Sequence, residues 1–122
     1  MNYKNKIIAV VGVSQDPAKY GYKIFTTLLH KGFTVYGINP KGGELEGQKI
    51  FPSLADVPAA VDVAILVIPP QALLPAVAQC AQKGVREIWF QPGAQDPQAF
   101  QAAQRAHIHA INACFMAQNG LW

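Results

Sequence analysis

The residues of this chain that could bind a ligand are grouped around one glycine turn. Five apolar residues, Ile7–Val11, end at Gly12, and a polar run from Val13 to Lys19 precedes a helical pattern that begins at Tyr20. An unbroken apolar run rich in β-branched residues is typical of a strand buried on both faces. A strand, a glycine turn and a helix in succession place backbone N–H groups and the positive end of a helix dipole at one edge of a sheet. We therefore predict an anion site at this turn.

Groups that could catalyse a reaction do not form a recognisable pattern in the sequence. The three histidines, His30, His107 and His109, fall on helices or at a strand start, and we expect them to be surface or packing residues. We expect Cys80 to be a buried free thiol, because it lies in a helical apolar pattern and no metal-ligand spacing is present. Cys114 could be a redox or thioester partner of a bound thiol, but no neighbour in the sequence marks it as activated. We expect no catalysis by this chain alone.

Composition favours one packed domain and excludes several classes of partner. Hydrophobic residues make up 51% of the 122 residues and charged residues 14%, which indicates a packed core. No apolar run approaches the roughly 20 residues that span a bilayer, and the first one is too short and strand-like for a signal peptide. The net charge of +3 is too small for a nucleic-acid-binding surface. It suits the binding of a small polyanion such as a nucleotide, or it is ordinary surface charge that keeps the protein in solution. We interpret residues 1–122 as a single cytoplasmic domain without membrane or nucleic-acid binding.

Strand and helix patterns alternate along the chain. The predicted strands are Ile7–Val11, Phe33–Ile38, Asp62–Ile68, Arg86–Phe90 and Ile108–Ala113. The predicted helices are Tyr20–Lys31, Gln71–Lys83 and a third that runs from Pro97, capped by Asp96, to about His107. Residues 44–52 are mostly polar, with a small apolar pair, Ile50-Phe51, that could pack under the preceding loop, and no strand is predicted there. This alternation predicts an α/β fold, a Rossmann-like three-layer α/β/α arrangement with a five-stranded parallel sheet in the order 3-2-1-4-5.

Four loops should meet at the carboxyl edge of that sheet, namely residues 12–21, 39–43, 68–70 and 91–93. These loops carry 11 of the 24 glycine, proline and asparagine residues of the chain. Ligands of open α/β sheets bind outside the carboxyl ends of the strands, where the strand order reverses. We therefore predict that these loops together form one nucleotide site.

The glycine fingerprint of a dinucleotide site is absent from the first loop. A G-x-G-x-x-G motif would need glycine at the positions of Ser14 and Pro17. An NAD site also needs an acidic residue after the second strand, where this chain has Asn39-Pro40-Lys41. A lysine there suits a phosphate on the ribose, which NADP and coenzyme A (CoA) both carry. A reductase or redox sensor that binds NAD(P) thus stays an alternative to a CoA-binding protein.

Five stretches resemble one known family and cover nearly the whole chain in order. They are IAVVGVSQDPAKYG, VYGINPKGGELEGQKIFPSLADVP, VDVAILVIPP, WFQPGAQDPQAF and ACFM. The chain resembles the stand-alone CoA-binding proteins that are related to the amino-terminal domain of the succinyl-CoA synthetase alpha subunit. It departs from that family at residues 117–122, where the family often has polar residues that include His-x-(Arg/Lys).

The resemblance implies a Rossmann-like fold that binds CoA or an acyl-CoA in an extended pose. We assign twelve residues to this site: Gly12, Val13, Ser14, Lys19, Tyr20, Gly21, Asn39, Pro40, Lys41, Ile68, Pro69 and Pro70. The glycine turn would cradle phosphate, the Asn39 loop would flank the adenosine phosphates, and the Pro69 loop would line the pantetheine path. The alternative is that these residues have only structural roles. Gly12 and Gly21 would then serve the turn and helix packing, Lys19 and Lys41 would be ordinary surface lysines, and Pro69 and Pro70 would only end a strand.

The resemblance leaves the partner open. The phosphorylated histidine of the synthetase lies in a separate domain that this chain lacks, so the chain could be the CoA-binding subunit of a ligase-type complex. It could also form a homo-oligomer. Apolar residues near the carboxyl end would form either a docking patch or part of the domain's own core: Phe115, Met116, Leu121 and Trp122.

Overall fold

One mixed sheet with helices on both faces forms the fold in the computed structural model, which describes residues 3–122. In this part of the chain the strands are β1 (Ile7–Val11), β2 (Thr34–Ile38), β3 (Glu44–Leu45), β4 (Gln48–Phe51), β5 (Val63–Leu66), β6 (Glu87–Phe90) and β7 (His109–Asn112). The α-helices are α1 (Tyr20–His30), α2 (Leu73–Lys83), α3 (Pro97–Arg105) and α4 (Phe115–Gln118), and short 3₁₀ turns span Tyr3–Asn5, Leu54–Asp56 and Pro70–Ala72. Within residues 3–122, we find no helix that combines the length and the apolar character needed to cross a membrane.

The sheet corrects the predicted strand count and order. Its seven strands follow the order β3-β4-β2-β1-β5-β6-β7, so both the five strands and the order 3-2-1-4-5 were wrong. The predicted third strand became β5, which pairs with β1 on the side away from β2. Neighbouring strands are parallel except β3 and β4, which are antiparallel. The predicted Rossmann-like α/β architecture with a mostly parallel sheet is confirmed.

The strand β4 was missed because its own sequence signal is weak. Only Ile50 and Phe51 are apolar in Gln48–Phe51, and we predicted no strand in residues 44–52. Pairing with β2 brings Ile50 opposite Gly37, and Ile50 is then almost fully buried. Numbered among themselves, the six parallel strands have the order 3-2-1-4-5-6, since β4 fills the third place. A strand of this kind is defined by its neighbour and by burial more than by its own composition.

Two hydrophobic layers enclose the sheet. On β1, Ile8 and Val10 face one layer, which also contains Phe25 of α1, while Ala9 faces the other layer together with Val77 of α2. Burial of alternate residues on opposite faces explains why the β1 sequence is apolar without interruption. The prediction that β1 is buried on both faces is therefore confirmed.

The carboxyl-terminal residues mostly belong to the core. Phe115 and Met116 of α4 are fully buried, and Leu121 is half-buried. Trp122 alone among the four residues considered for a docking patch is exposed, with 56% of its surface accessible. The structure therefore assigns Phe115 and Met116 to packing, and of the four residues only Trp122 is exposed.

Candidate functional site

A crevice of about 650 Å³ opens at the carboxyl edge of the sheet, where the chain leaves β1, β2 and β5. Its volume lies in the range of small-molecule sites, and its position is the switch point at which the strand order reverses. Nine of the assigned residues line it: Gly12, Val13, Ser14, Lys19, Asn39, Pro40, Lys41, Ile68 and Pro69. The loops after three different strands therefore meet in one place.

Three of the assigned residues lie outside this crevice. Tyr20 faces a second cavity and is 64% exposed. Gly21 is buried against the carbonyl group of Gly12, in the first turn of α1. Pro70 is exposed and begins the 3₁₀ turn that precedes α2. Gly21 thus supports the crevice through packing.

The crevice is also lined by six residues outside the assigned set: Gln15, Asp16, Gly42, Ile50, Val67 and Ala72. Gln15, Asp16 and Gly42 lie inside loops that we had predicted to form the site, so their positions could have been included. Ile50 was not assigned to the site because the strand β4 was not predicted. Val67 was assigned to a strand, but β5 ends at Leu66 and leaves Val67 at the edge.

Close backbone contact holds the glycine turn between α1 and β5. A methyl group on Gly12 would lie 2.2 Å from the carbonyl oxygen of Val67, and one on Gly21 would lie 2.0 Å from the carbonyl oxygen of Gly12. Gly12 also has a φ of +109°, which side-chain-bearing residues rarely adopt. The stack of Val67, Gly12 and Gly21 therefore requires glycine at both positions.

Some N–H groups of the turn are already used within the protein. The N–H groups of Gly12 and Val13 both donate to the carbonyl oxygen of Ile38, at 2.9 and 3.1 Å. The N–H groups of Ser14 and Gln15, in contrast, have no hydrogen-bond partner among residues 3–122. An anion in this turn would therefore receive hydrogen bonds from Ser14 and Gln15, whereas Gly12 and Val13 would contribute shape.

The amino terminus of α1 supplies further unpaired donors. Lys19 occupies the N-cap position, no side chain caps the helix, and the first turn contains no acidic residue. The first N–H groups of an α-helix have no partner within the helix, and the helix dipole favours negative charge there. The Ser14 hydroxyl accepts a hydrogen bond from the N–H of Asp16 at 3.0 Å, which leaves its own proton free to donate.

Asn39 joins the two loops that flank the crevice. Its side-chain nitrogen donates to the carbonyl oxygen of Val13 at 2.8 Å, and its side-chain oxygen accepts from the N–H of Lys41 at 2.8 Å. Lys19 and Lys41 are exposed, and neither ammonium group has a partner within residues 3–122. With Asp16 as the lining carboxylate, the crevice is positively charged on balance.

The second cavity has a volume of about 290 Å³ and shares Val67 with the crevice. Its buried Gln91 accepts a hydrogen bond from the N–H of Phe115 at 2.7 Å through its side-chain oxygen. Partial burial alone would raise the pKa of Cys114, but hydrogen bonds from the Gln91 amide, two backbone N–H groups and Trp122 lower it. Burial raises the pKa of the other thiol, Cys80, to about 12. The pKa values of the two thiols are therefore shifted in opposite directions, and the groups that lower the pKa of Cys114 were not apparent from the sequence.

Residues 6–120 match the family described as the CoA binding domain. Among curated proteins, the chain is 38% identical over 82 residues to the alpha subunit of ADP-forming acetate–CoA ligase II from Pyrococcus furiosus, which is 66% of this chain and 18% of that protein. It is 39% identical over 80 residues to ADP-forming acetate–CoA ligase I from Archaeoglobus fulgidus, which is 66% of this chain and 12% of that protein. The chain thus spans less than a fifth of the length of these two relatives.

Solved structures share the whole fold. A hypothetical protein from Pyrococcus horikoshii OT3 superposes with a TM-score of 0.90 at 33% identity, covering 94% of this chain and 82% of that chain. The dinucleotide forming acetyl-coenzyme A synthetase 1 of Ca. Korarchaeum cryptofilum superposes with a TM-score of 0.80 at 31% identity, covering 91% of this chain and 26% of the synthetase. Since the family match extends over nearly all of the chain, this protein belongs to the CoA binding domain family.

Proposed function

We propose that this chain is a cytoplasmic protein that binds CoA or an acyl-CoA in the crevice, without catalysis of its own. The observation that carries the proposal is the convergence of the Gly12 turn, the Asn39 loop and residues 67–69 in one positively charged crevice. Membership of the CoA binding domain family supports the choice of ligand. A few phosphate contacts together with a buried adenine are consistent with micromolar affinity, about −8 kcal/mol.

The phosphate groups of CoA would occupy two separate places in the crevice. The pyrophosphate would accept hydrogen bonds from the free N–H groups of Ser14 and Gln15 and would lie near the amino terminus of α1. The ribose phosphate would pair with Lys41, whose ammonium group is otherwise unpaired among residues 3–122. The pantetheine chain would follow Ile68 and Pro69, which carry no charge.

Calorimetry with CoA and with dephospho-CoA, which lacks the ribose phosphate, tests this arrangement. An exposed charge-assisted contact contributes about 1–2 kcal/mol, so Lys41→Ala should weaken CoA binding about tenfold and leave dephospho-CoA almost unchanged. Ser14→Ala should weaken both ligands alike. Lys31→Ala is the charge-matched control, because Lys31 caps the opposite end of α1 and is screened from the crevice.

Two outcomes of this titration would contradict the proposal at different levels. An equal loss for both ligands in Lys41→Ala would show that the lysine does not meet the ribose phosphate. The absence of CoA binding by the unmodified protein at about millimolar ligand would rule out the function itself. Parallel titrations with NAD and NADPH address the alternative ligand, since Lys41 would also suit the ribose phosphate of NADP.

A second candidate function is that of the CoA-binding part of a ligase-type assembly. It is supported by the similarity to an acetate–CoA ligase alpha subunit, of which this chain covers 18%. Incubation of the chain alone with acetate, ATP, Mg²⁺ and CoA tests whether the chain is itself a catalyst, which neither candidate function requires. We expect no ADP above background, whereas ADP formation that depends on CoA and acetate would contradict the absence of catalysis.

A further inference from the structure

The second cavity lies beside the crevice at the carboxyl edge of the sheet. Val67 lines both spaces, so a ligand bound in the crevice would reach the cavity by passing Val67. The cavity is formed by three segments: the start of α1 at Tyr20, the loop after β6 at Gln91 and Pro92, and the residues that follow β7. It lies beyond Ile68 and Pro69, which we assigned to the pantetheine path.

The rim of this cavity is aromatic and accessible to water. Within residues 3–122, three large hydrophobic side chains are exposed, and two of them, Tyr20 and Trp122, flank this cavity. Their rings lie 6.4 Å apart at 43°, so they contact each other across the opening. Apolar surface that is left in water is unfavourable, and a contiguous exposed patch of this kind often marks a binding site.

The charge of the lining restricts the chemistry of the occupant. The crevice is lined by Lys19, Lys41 and Asp16, whereas none of the residues that line the second cavity is charged. Its polar groups include the Gln91 amide and the Cys114 thiol. The Lys23 ammonium lies over the Tyr20 ring, 5.6 Å from its centroid, but Lys23 is not part of the lining. An ionised group inside the cavity would therefore lose water without an opposite charge on the lining, at considerable cost. The occupant should therefore be neutral and mainly apolar.

The size of the cavity restricts the length of the occupant. Its 290 Å³ corresponds to the volume of about ten water molecules. This space has room for about ten non-hydrogen atoms, which suits a thioester group with a short acyl chain and is too small for a long fatty chain. A thiol group alone would leave most of the space wet.

We propose that this cavity receives the acyl group of a short, neutral acyl thioester, which is carried there by CoA bound in the crevice. This inference rests on the proposed CoA function and adds a preference for the ligand class. The side-chain oxygen of Gln91 is engaged by the N–H of Phe115, while its amide nitrogen has two N–H donors, of which one interacts with Cys114. The other would donate to the carbonyl oxygen of the thioester. The preferred ligand is thus a short acyl-CoA such as butyryl-CoA, and free CoA binds less tightly.

Three ligands that share the CoA moiety separate the contribution of the acyl group to binding from that of CoA itself. Butyryl-CoA and succinyl-CoA carry acyl groups with the same number of carbon atoms, and only the succinyl group is charged. Full burial of each methylene strengthens binding about fourfold, so three fully buried aliphatic carbon atoms would give about 60-fold. Because the rim of the cavity is exposed to water, burial is partial, and we expect butyryl-CoA to bind about tenfold more tightly than CoA. Succinyl-CoA should bind no more tightly than CoA. Calorimetry gives all three dissociation constants under the same conditions.

Substitutions in and away from the cavity test whether the preference for butyryl-CoA arises there. Ala117 is exposed on α4 and lines the cavity, so Ala117→Leu should fill the space and abolish the tenfold preference for butyryl-CoA while leaving CoA affinity unchanged. Ala81→Leu adds the same volume on the exposed face of α2 and should retain the preference. Trp122→Ala, at a position that is 56% exposed and contributes little to the core, should reduce the preference about threefold.

The outcomes distinguish this inference from the function on which it rests. Equal binding of butyryl-CoA, succinyl-CoA and CoA by the unmodified protein would overturn the acyl site and leave CoA binding intact. A protein that binds none of the three ligands would overturn both. If the unmodified protein is a dimer in solution that Trp122→Ala dissociates, the aromatic rim is an interface between copies of the chain, and the acyl site is also overturned.

Discussion

Replacement of Gly12 by alanine would show whether the candidate site depends on the close contact between the glycine turn and β5. The added methyl group would meet the carbonyl oxygen of Val67 at 2.2 Å. Both sides of this contact are held by hydrogen bonds, since the N–H of Gly12 donates to Ile38 and the N–H of Val67 donates to Val11. Neither backbone can move away without losing hydrogen bonds at the edge of the sheet.

The expected cost has two parts. Forcing an L-residue into a conformation with positive φ costs about 1–2 kcal/mol. Overpacking against a backbone that cannot yield adds about 1–3 kcal/mol, which brings the loss in the free energy of unfolding to about 2–5 kcal/mol. For a domain of this size, 1 kcal/mol corresponds to a change of about 4 °C in the melting temperature, so Gly12→Ala should lower it by about 8–20 °C.

Gly47→Ala is a matched control for the backbone part of this cost. Gly47 lies in the hairpin between β3 and β4 with a φ of +78°, and no atom lies within 4 Å of the position that a methyl group would take. This variant should lose only the 1–2 kcal/mol of backbone strain, and its melting temperature should fall by about 4–8 °C. The difference between the two variants therefore measures the contact with Val67.

Thermal unfolding followed by circular dichroism, together with calorimetry for CoA, gives the required comparison. Gly12→Ala should weaken CoA binding at least tenfold, because the turn must shift to make room for the methyl group. Gly47→Ala should leave the dissociation constant unchanged, since Gly47 does not line the crevice. Equal losses of stability in the two variants would refute the reasoning that close packing at Gly12 shapes the site.

Two further substitutions or modifications test the loops around the crevice. Asn39→Asp keeps the acceptor for the N–H of Lys41 but loses the donor to the carbonyl oxygen of Val13. CoA should therefore bind about tenfold more weakly, and the free energy of unfolding should fall by about 1–3 kcal/mol. Unchanged CoA affinity in calorimetry and unchanged urea unfolding would show that this link is dispensable. Iodoacetamide at neutral pH should modify Cys114, whose pKa is lowered, and spare the buried Cys80, whose pKa is raised to about 12; mass spectrometry that finds Cys80 modified first in the folded protein would contradict these assignments.

Local signals were sufficient to predict the parts of the fold that depend on neighbouring residues in the chain. The apolar run Ile7–Val11, which ends at Gly12, predicted β1 with its observed bounds. Asp96 followed by proline predicted the start of α3, and its carboxylate does accept a hydrogen bond from the N–H of Ala99 at 3.1 Å. The Asn39 loop was recognised from its Asn-Pro and Gly-Gly pairs. In each case the physical cause is backbone preference or capping, which acts over a few residues.

Contacts between distant segments decided the rest. Ile50 and Phe51 become part of a strand only because β2 offers an open edge, and this addition changed the predicted order of the sheet. The N–H groups of Gly12 and Val13, which belong to the turn predicted to cradle phosphate, donate to the carbonyl oxygen of Ile38. The cavity beside Val67 forms from segments separated by up to a hundred residues, from Tyr20 to Trp122. The sequence by itself determined which loops reach the carboxyl edge of the sheet, whereas only the packing of strands and helices decided which of their groups remain free to bind a ligand.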